Sequence, residues 1–472
     1  MIVASSLFME AVDSTVSATA REAIAHDLHQ DPLALKLALT SYLVSQAVFI
    51  PASAWLADRF GGRTIYGLAI VVFVLGSIMC GLSSTLTGFV ISRVIQGFGG
   101  ALMMPVGRLL VIRSVPRAEM ISAFAYLTVP AMIGPMIGPP LGGFITTWFH
   151  WRWIFWINVP FGIVGAVLAY VYIANVKEET PGRLDFTGFL LAGIGFSCLI
   201  FGFTVIGGGF LPMWQTGLLI GAGFVACALY IVHARRTPDP LLDFTLLRIQ
   251  TFRYAISGSM LFRVSVGAVP FLLPLLLQVG FGMSAAESGS ITFASACGSM
   301  AMKATAQTIL RKFGFKAVLI VCAFMAASIL AVNALFSVQT PQWIIFGVLL
   351  AGGFFRSLQF TALNGLAFSD VDNDRMSRAT SFVAVCQQFS TAIGVAIGAG
   401  VVELTLWVRG AETLQAGDFA FAFYAVALVT GSSGLVFFTL PKDAAAHVAA
   451  GKKKGTEAKA GAKSGDERAA AE

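Results

Sequence analysis

Residues 57–63 read A-D-R-F-G-G-R, and residues 310–316 read L-R-K-F-G-F-K. Each lies between two long apolar runs, and the second follows the first at an offset of 253 residues, from 57 to 310. Two six-helix halves would set equivalent loops about 190 residues apart, so the excess of about 60 predicts two further helices and a linker between two related bundles. Working outward, apolar runs bounded by charges, Gly/Pro or polar turns fall at 1–21, 37–57, 64–83, 88–112, 121–146, 153–175, 185–206, 213–233, 252–279, 287–309, 316–337, 342–368, 378–403 and 417–440, fourteen in all. The expected fold is an all-α polytopic membrane protein with 14 transmembrane helices: a six-helix bundle over 1–175, two linker helices and a loop over 176–250, a second six-helix bundle over 251–440, and a disordered basic tail over 441–472.

Composition agrees. Of 472 residues 57% are apolar and 12% charged, against roughly 45–50% and 25% in soluble domains. Too few charges are present to cover a soluble globule, while spans of about 20 residues could be filled some thirteen or fourteen times. The runs lack the alternation of membrane β-strands, and 49 Gly and 40 Phe suit close helix packing in lipid. Cys80, Cys198, Cys227, Cys297, Cys322 and Cys386 sit inside apolar runs without C-x-x-C spacing and read as packing residues.

The net charge of +7 is a topological signal and not a nucleic-acid footprint. With both termini cytoplasmic, cytoplasmic loops and tail hold 21 Lys and Arg, and the opposite side holds four: Arg21, Lys36, Arg152 and Arg409. No basic segment precedes the run at Met1, so a cleaved signal peptide is not expected; either the start is truncated or the later loops set the orientation.

Three segments resemble the signature motifs of major facilitator superfamily antiporters, in order and on spans 2/3, 4 and 5: W-L-A-D-R-F-G-G-R (55–63), R-V-I-Q-G-F-G-G-A (93–101) and G-P-M-I-G-P-P-L-G-G (134–143). The fourteen spans, M-E-A-V-D-S-T-V (9–16) and W-R-W-I-F-W-I-N-V-P-F-G (151–162) narrow the resemblance to the drug:proton antiporter branch of the EmrB/QacA type, and F-L-L-P-L-L-L-Q-V-G-F-G (271–282) is similar to multidrug permeases of proteobacteria. The likeness covers the whole chain. It implies a major facilitator fold in the bacterial inner membrane, proton-driven efflux by alternating access and no cofactor; it does not name the cargo.

The residues carry their own reading. Glu10 and Asp13 are three apart, on one helix face, and carboxylates in mid-membrane mark ion or substrate routes by default. Asp13 matches the family's acidic position and leads as proton or substrate site; Glu10 is second, with a hydrogen-bonded structural acid as its other reading. Arg93 needs a carboxylate partner, which Asp13 or Glu10 could supply; in the family it is linked to proton coupling, and the plainer alternative is a helix tie. Arg108, nearer the helix end, is expected to snorkel.

At the 57–63 turn, Asp58, Arg59, Gly61 and Arg63 are the cytoplasmic gate of the family pattern, with a topological anchor as the other reading for Arg59. Ala54 stands where the family usually has Gly, and the second copy places Arg311 where the first has Asp58. Gly134, Pro135, Gly138, Pro139, Gly142 and Gly143 form the antiporter motif and contribute shape, through kinks and close packing. Arg263, Lys303 and Arg356, with Gln359, Asn364, Gln387 and Gln388, make the second bundle basic. Buried cations face a partner or a watery cavity, so these are candidate cavity-lining residues, set against a charge network with Glu403 or Glu287 or snorkelling of Lys303.

A primary pump is disfavoured by the lack of a phosphate-binding G-x-x-x-x-G-K-[ST] loop, and an enzyme or metal site by histidines confined to loops and span ends. The partners expected are a small-molecule substrate, protons and the bilayer, without nucleic acid; a periplasmic adaptor and an outer-membrane channel stay open. The alternatives to drug export are a proton-coupled transporter of an anionic or zwitterionic metabolite, an importer or uniporter, and a channel.

Overall fold

The computed structural model describes residues 2–29, 36–115, 141–146, 148–175, 184–205, 212–410 and 414–441, with isolated positions between 119 and 138, residue 177 and residues 444–445. Among the described residues every regular element is a helix. The reason is physical: an apolar run in lipid has no water for its amides and carbonyls, so it satisfies them within itself. The first group comprises α1 (Ile2–Thr19), α2 (Arg21–Asp27), α3 (Lys36–Phe49), α4 (Ser53–Phe60), α5 (Gly62–Leu82), α6 (Leu86–Ser114), α7 (Trp153–Trp156) and α8 (Asn158–Tyr172). Then come α9 (Phe186–Val205), α10 (Met213–Ala234), α11 (Gln250–Leu275), α12 (Ala285–Asn333), α13 (Gln342–Phe368), α14 (Met376–Arg409) and α15 (Asp418–Phe438).

Ten helices among the described residues are long and apolar enough to cross a membrane. Where the sequence predicts one span over 37–57, Pro51 sits in a 3-10 turn, Ile50–Ala52, that separates α3 from α4. Where it predicts two spans over 287–309 and 316–337, α12 is one element bent at Gly314, whose φ of 75° and ψ of 165° are not helical. The run at 121–146 lies mostly outside the described residues, as do Pro135, Pro139 and almost all of the tail.

Helices α1, α3, α5, α6 and α8 pack on one another, and α11 to α15 form a second group; α9 and α10 pair, with α9 set against both α3 and α14. Small residues let the second group close. A Cβ on Gly267 of α11 would come 2.0 Å from the Thr391 carbonyl oxygen of α14, and one on Gly394 would come 2.1 Å from that of Val264. The sequence repeat is present in the backbone: Gly61 ends α4 with φ of 93°, and Gly314, its counterpart, bends α12 with φ of 75°.

Outward faces are apolar and exposed, including Leu218, Phe224 and Leu229 of α10, as a lipid-facing helix requires. Trp148, Trp153, Trp214, Trp343 and Trp407 are all exposed. By the alternation of the helices they fall at the end away from the Gly61 turn, where an interfacial aromatic belt would sit. This is a multi-pass membrane protein.

Candidate functional site

Helix α1 brings Asp13 against α5, α6 and α8. Arg93 Nη1 donates to Asp13 Oδ2 at 2.8 Å, and both residues are 1% exposed. The other carboxylate oxygen accepts from Gln96 Nε2 at 2.9 Å and from Asn158 Nδ2 at 2.8 Å. Gln96 and Asn158 both reach Ser77 Oγ, at 2.6 and 3.2 Å, and Arg93 also donates to Gln96 Oε1 at 2.5 Å. The i, i+3 spacing of Arg93 and Gln96 sets both on one face of α6. The result is a polar network that uses both oxygens of Asp13, as a buried ion pair needs in order to offset the loss of water, and leaves the buried Nε of Arg93 without a partner among the described residues.

Glu10, less than a turn away on α1, is partly exposed. Its Oε1 accepts from Gln46 Nε2 at 2.7 Å, and Gln46 also donates to Tyr42 Oη at 3.0 Å. The Arg93 guanidinium lies 4.4 Å from the Tyr42 ring centroid, so Tyr42 links the two acidic positions. Opposite them, a Cβ on Gly100 would come 2.8 Å from Tyr42 Oη and 3.4 Å from Glu10 Oε1. The antiporter-motif glycines press on the same helix: a Cβ on Gly134 would meet that of Ala11 at 2.6 Å, and one on Gly138 would meet Thr15 Oγ1 at 2.0 Å. Gly142 and Gly143 lie in the helical residues 141–146, and an added Cβ at Gly143 meets nothing within 4 Å.

The two groups of helices meet at the Gly61 end. Ser53 Oγ and Ser381 Oγ are 2.6 Å apart, Ser377 donates to Asp58, and Arg108 Nη2 donates to Gln387 Oε1 at 3.1 Å. Asp58 also pairs with Arg113 at 3.3 Å. Arg63 Nη1 donates to the Tyr170 carbonyl at 3.4 Å, with its guanidinium over that ring, and Arg59 lies 5.8 Å from the Trp55 ring. Gly61 is required twice over, by its positive φ and because a Cβ would come 2.2 Å from Asn175 Oδ1.

Among the described residues, Arg263, Lys303 and Arg356 have no acid beside them. Arg263 donates from Nε to Ser259 Oγ at 3.2 Å and lies over Phe360 at 4.4 Å; Arg356 Nη2 donates to Ser295 Oγ at 2.6 Å. Lys303 Nζ is 3.7 Å from the Tyr126 ring centroid, a contact between the two halves. Asn364 is spent on the Phe360 carbonyl of its own helix, and neither amide atom of the buried Gln359 has a partner among the described residues. Glu287 closes a capping box with Ser284, so it does not serve as the expected counter-charge.

Asp13, Arg93 and, beside them, Glu10 are thus brought together, while Arg263, Lys303 and Arg356 stand apart from them. Asn158, Ser77, Gln46 and Tyr42 carry part of the network without having been singled out; only Asn158 had a signal, lying inside the quoted 151–162 motif. Arg108 does not snorkel: it is 5% exposed and tied across the seam. No group of three metal-ligating side chains occurs among the described residues.

A family model described as Major Facilitator Superfamily matches residues 3–395 and 255–464. The chain belongs to the major facilitator superfamily. Its relatives include proteins named "Putative multidrug resistance protein MdtD". That of Citrobacter koseri is 36% identical over 451 residues, covering 94% of each chain, and that of Pectobacterium atrosepticum is 35% identical over 446 residues, covering 94% of this chain and 95% of that one. Among solved structures, the human organic anion transporter MFSD10 superposes with a TM-score of 0.65 at 13% identity, covering 92% of this chain and 98% of that one. The proton:xylose symporter XylE gives the same score at 14% identity, covering 94% and 95%; both likenesses concern the fold alone. This major facilitator protein is a transporter and not an enzyme.

Proposed function

We propose that this major facilitator protein is a proton-coupled antiporter that exports amphiphilic drugs or toxic metabolites from the cytoplasm by alternating access. It would sit in the bacterial inner membrane with both termini cytoplasmic, drawing on the proton gradient without a resident cofactor. The carrying observation is the pair of carboxylates at membrane depth in α1, one locked and one not. Asp13 shares its charge with Arg93 and fixes the geometry of α1, α5, α6 and α8. Glu10 is held by the neutral donor Gln46, so its proton can come and go without stranding a partner charge. The relatives' names support drug export, and the bias of 21 to 4 in Lys and Arg supports the orientation.

In this reading the halves are 1–175 and 251–440, joined by two linker helices over 176–250 and followed by a tail over 441–472. Fourteen spans follow from the ten apolar helices when α12 counts as two limbs and α1, α3 with α4, and the run at 121–146 are added. Asp58, with Arg59, Gly61 and Arg63 around it, is the latch of the closed cytoplasmic end. Lys303, Arg356, Gln359, Asn364 and Gln387 line or flank the cavity between the halves.

Proteoliposomes carrying an imposed pH gradient and ethidium as probe solute test this. Wild type should drive ethidium against its gradient; Glu10→Gln should still exchange ethidium but lose the proton drive. Coupling that survives in Glu10→Gln removes Glu10 from the role, and coupling that survives in Asp13→Asn removes Asp13. Absence of proton drive in wild type ends the antiport reading.

A further inference from the structure

Arg108 and Arg263 are buried, at 5% and 6% exposure, and neither forms an ion pair among the described residues. Arg108 uses Nη2 on Gln387, and its buried Nη1 has no partner among the described residues. Arg263 uses Nε on Ser259, and its two terminal nitrogens make no hydrogen bond among the described residues. The two guanidinium groups belong to different halves, and Gln387, to which Arg108 donates, lies on α14, whose Gly394 packs against Val264, the residue next to Arg263. The two acids of α1 are taken: Asp13 by Arg93, Glu10 by Gln46.

Snorkelling does not explain them, because Arg263 lies in the middle of α11 and Arg108 is tied across the seam. A buried guanidinium without a counter-charge is among the costliest arrangements a membrane protein can hold, and it persists where a ligand or water-filled cavity supplies the missing partner. Four N–H-bearing nitrogens on two planar forks, unused among the described residues, match the oxygens of a carboxylate or phosphate. Gln387 on α14 ties Arg108 to the second half, so an anion between the two guanidiniums would relieve their repulsion while the Gly61 end is shut.

We propose that Arg108 and Arg263 form an oxyanion site at the seam between the halves, which takes the carboxylate or phosphate group of those carried solutes that bear one. This rests on the transport reading above and deepens it by adding anionic solutes to the amphiphiles carried, and its test involves no flux, so the two can fail separately.

The full chain in phosphatidylcholine nanodiscs is titrated with naphthoate, naphthalenemethanol and naphthylmethylamine, a matched anion, neutral compound and cation, with naphthyl phosphate as a second anion. Both anions should bind at least about tenfold more tightly than the alcohol. Arg108→Gln and Arg263→Gln should each abolish that preference. Without probe, both variants should melt at or above the wild-type temperature, because each removes an unpaired buried charge; naphthoate should raise the melting temperature of wild type alone. Nanodiscs containing phosphatidylglycerol separate the sources: unchanged naphthoate affinity assigns the site to a solute, and a loss confined to wild type assigns it to a lipid headgroup. Equal binding of anion, alcohol and amine, a preference that survives both variants, or variants that melt well below wild type without probe would each overturn the proposal.

Discussion

In the first half, Asp13 accepts from Arg93, Gln96 and Asn158, and every oxygen of the carboxylate is used. In the second half, Arg263 and Arg356 each have one serine hydroxyl and, among the described residues, no acid. The two halves share a backbone device, Gly61 and Gly314 at corresponding turns, while their charges diverge: Asp58 stands in the first turn and Arg311 in the second. A repeated fold therefore fixes where helices bend without fixing which charges they carry. The charge-paired network suits a rigid strut; the unpaired cations suit an exchangeable partner.

The sharpest way to break this picture is to weld the seam. Ser53 and Ser381 hydroxyls are 2.6 Å apart across it, close enough for paired cysteines to meet disulfide geometry. In a chain with its six native cysteines replaced, Ser53→Cys with Ser381→Cys should lose all ethidium transport on oxidation and regain it on reduction. Undiminished transport by the cross-linked protein would show that the Gly61 end need not open.

Next in size is the strut itself. Arg93→Gln leaves Asp13 buried and uncompensated and should cost about 3–5 kcal/mol in unfolding experiments. Asp13→Asn with Arg93→Gln should recover most of that loss while transport stays uncoupled. Recovery of coupling in the double variant would make the pair dispensable to mechanism. The contrast is with Arg263→Gln, where removing a charge strands nothing.

Much of this was legible in the sequence for definite reasons. Charges and prolines bound each apolar run, so α13 begins and ends where the run at 342–368 does. The repeat was readable because the chain needs glycine at a positive φ after the aromatic residue in both copies. Asp13 and Arg93 stood out because ions are rare at membrane depth. Ser77, Gln46 and Tyr42 did not, because neutral polar side chains in apolar helices are common and only the fold brings these three to the acids. Arg108 is not legible in the same way, because its distance to a helix end suggests an escape to water; whether a neighbouring helix blocks that escape depends on the seam with α14.

The two hinge glycines give a finer comparison. Both backbones sit where side chains are strained, so Gly314→Ala should cost about 1–2 kcal/mol. Gly61→Ala adds a collision with Asn175 that Gly314 lacks, since nothing lies within 4 Å of a Cβ there. Thermal unfolding should therefore rank Gly61→Ala below Gly314→Ala; equal losses would mean that Asn175 moves aside freely.

The smallest expected effect lies in the connector before α11. Asp243 pairs with Arg375 at 2.8 Å and accepts from the Thr245 amide at 2.8 Å, docking the connector on the start of α14. Burial works to raise its pKa, but the hydrogen bonds from Thr245 and Arg375 outweigh it and hold the carboxyl below its ordinary value. A carboxyl lowered by folding stabilises the folded state at pH values above its unfolded pKa, and that contribution fades as pH falls through the folded one. Asp243→Asn should thus be less stable than wild type by about 1 kcal/mol or less near neutrality, with the gap closing only below about pH 4. A gap that instead widens with acid would show that the carboxyl is protonated more readily in the folded protein, and that burial and not Arg375 governs this contact.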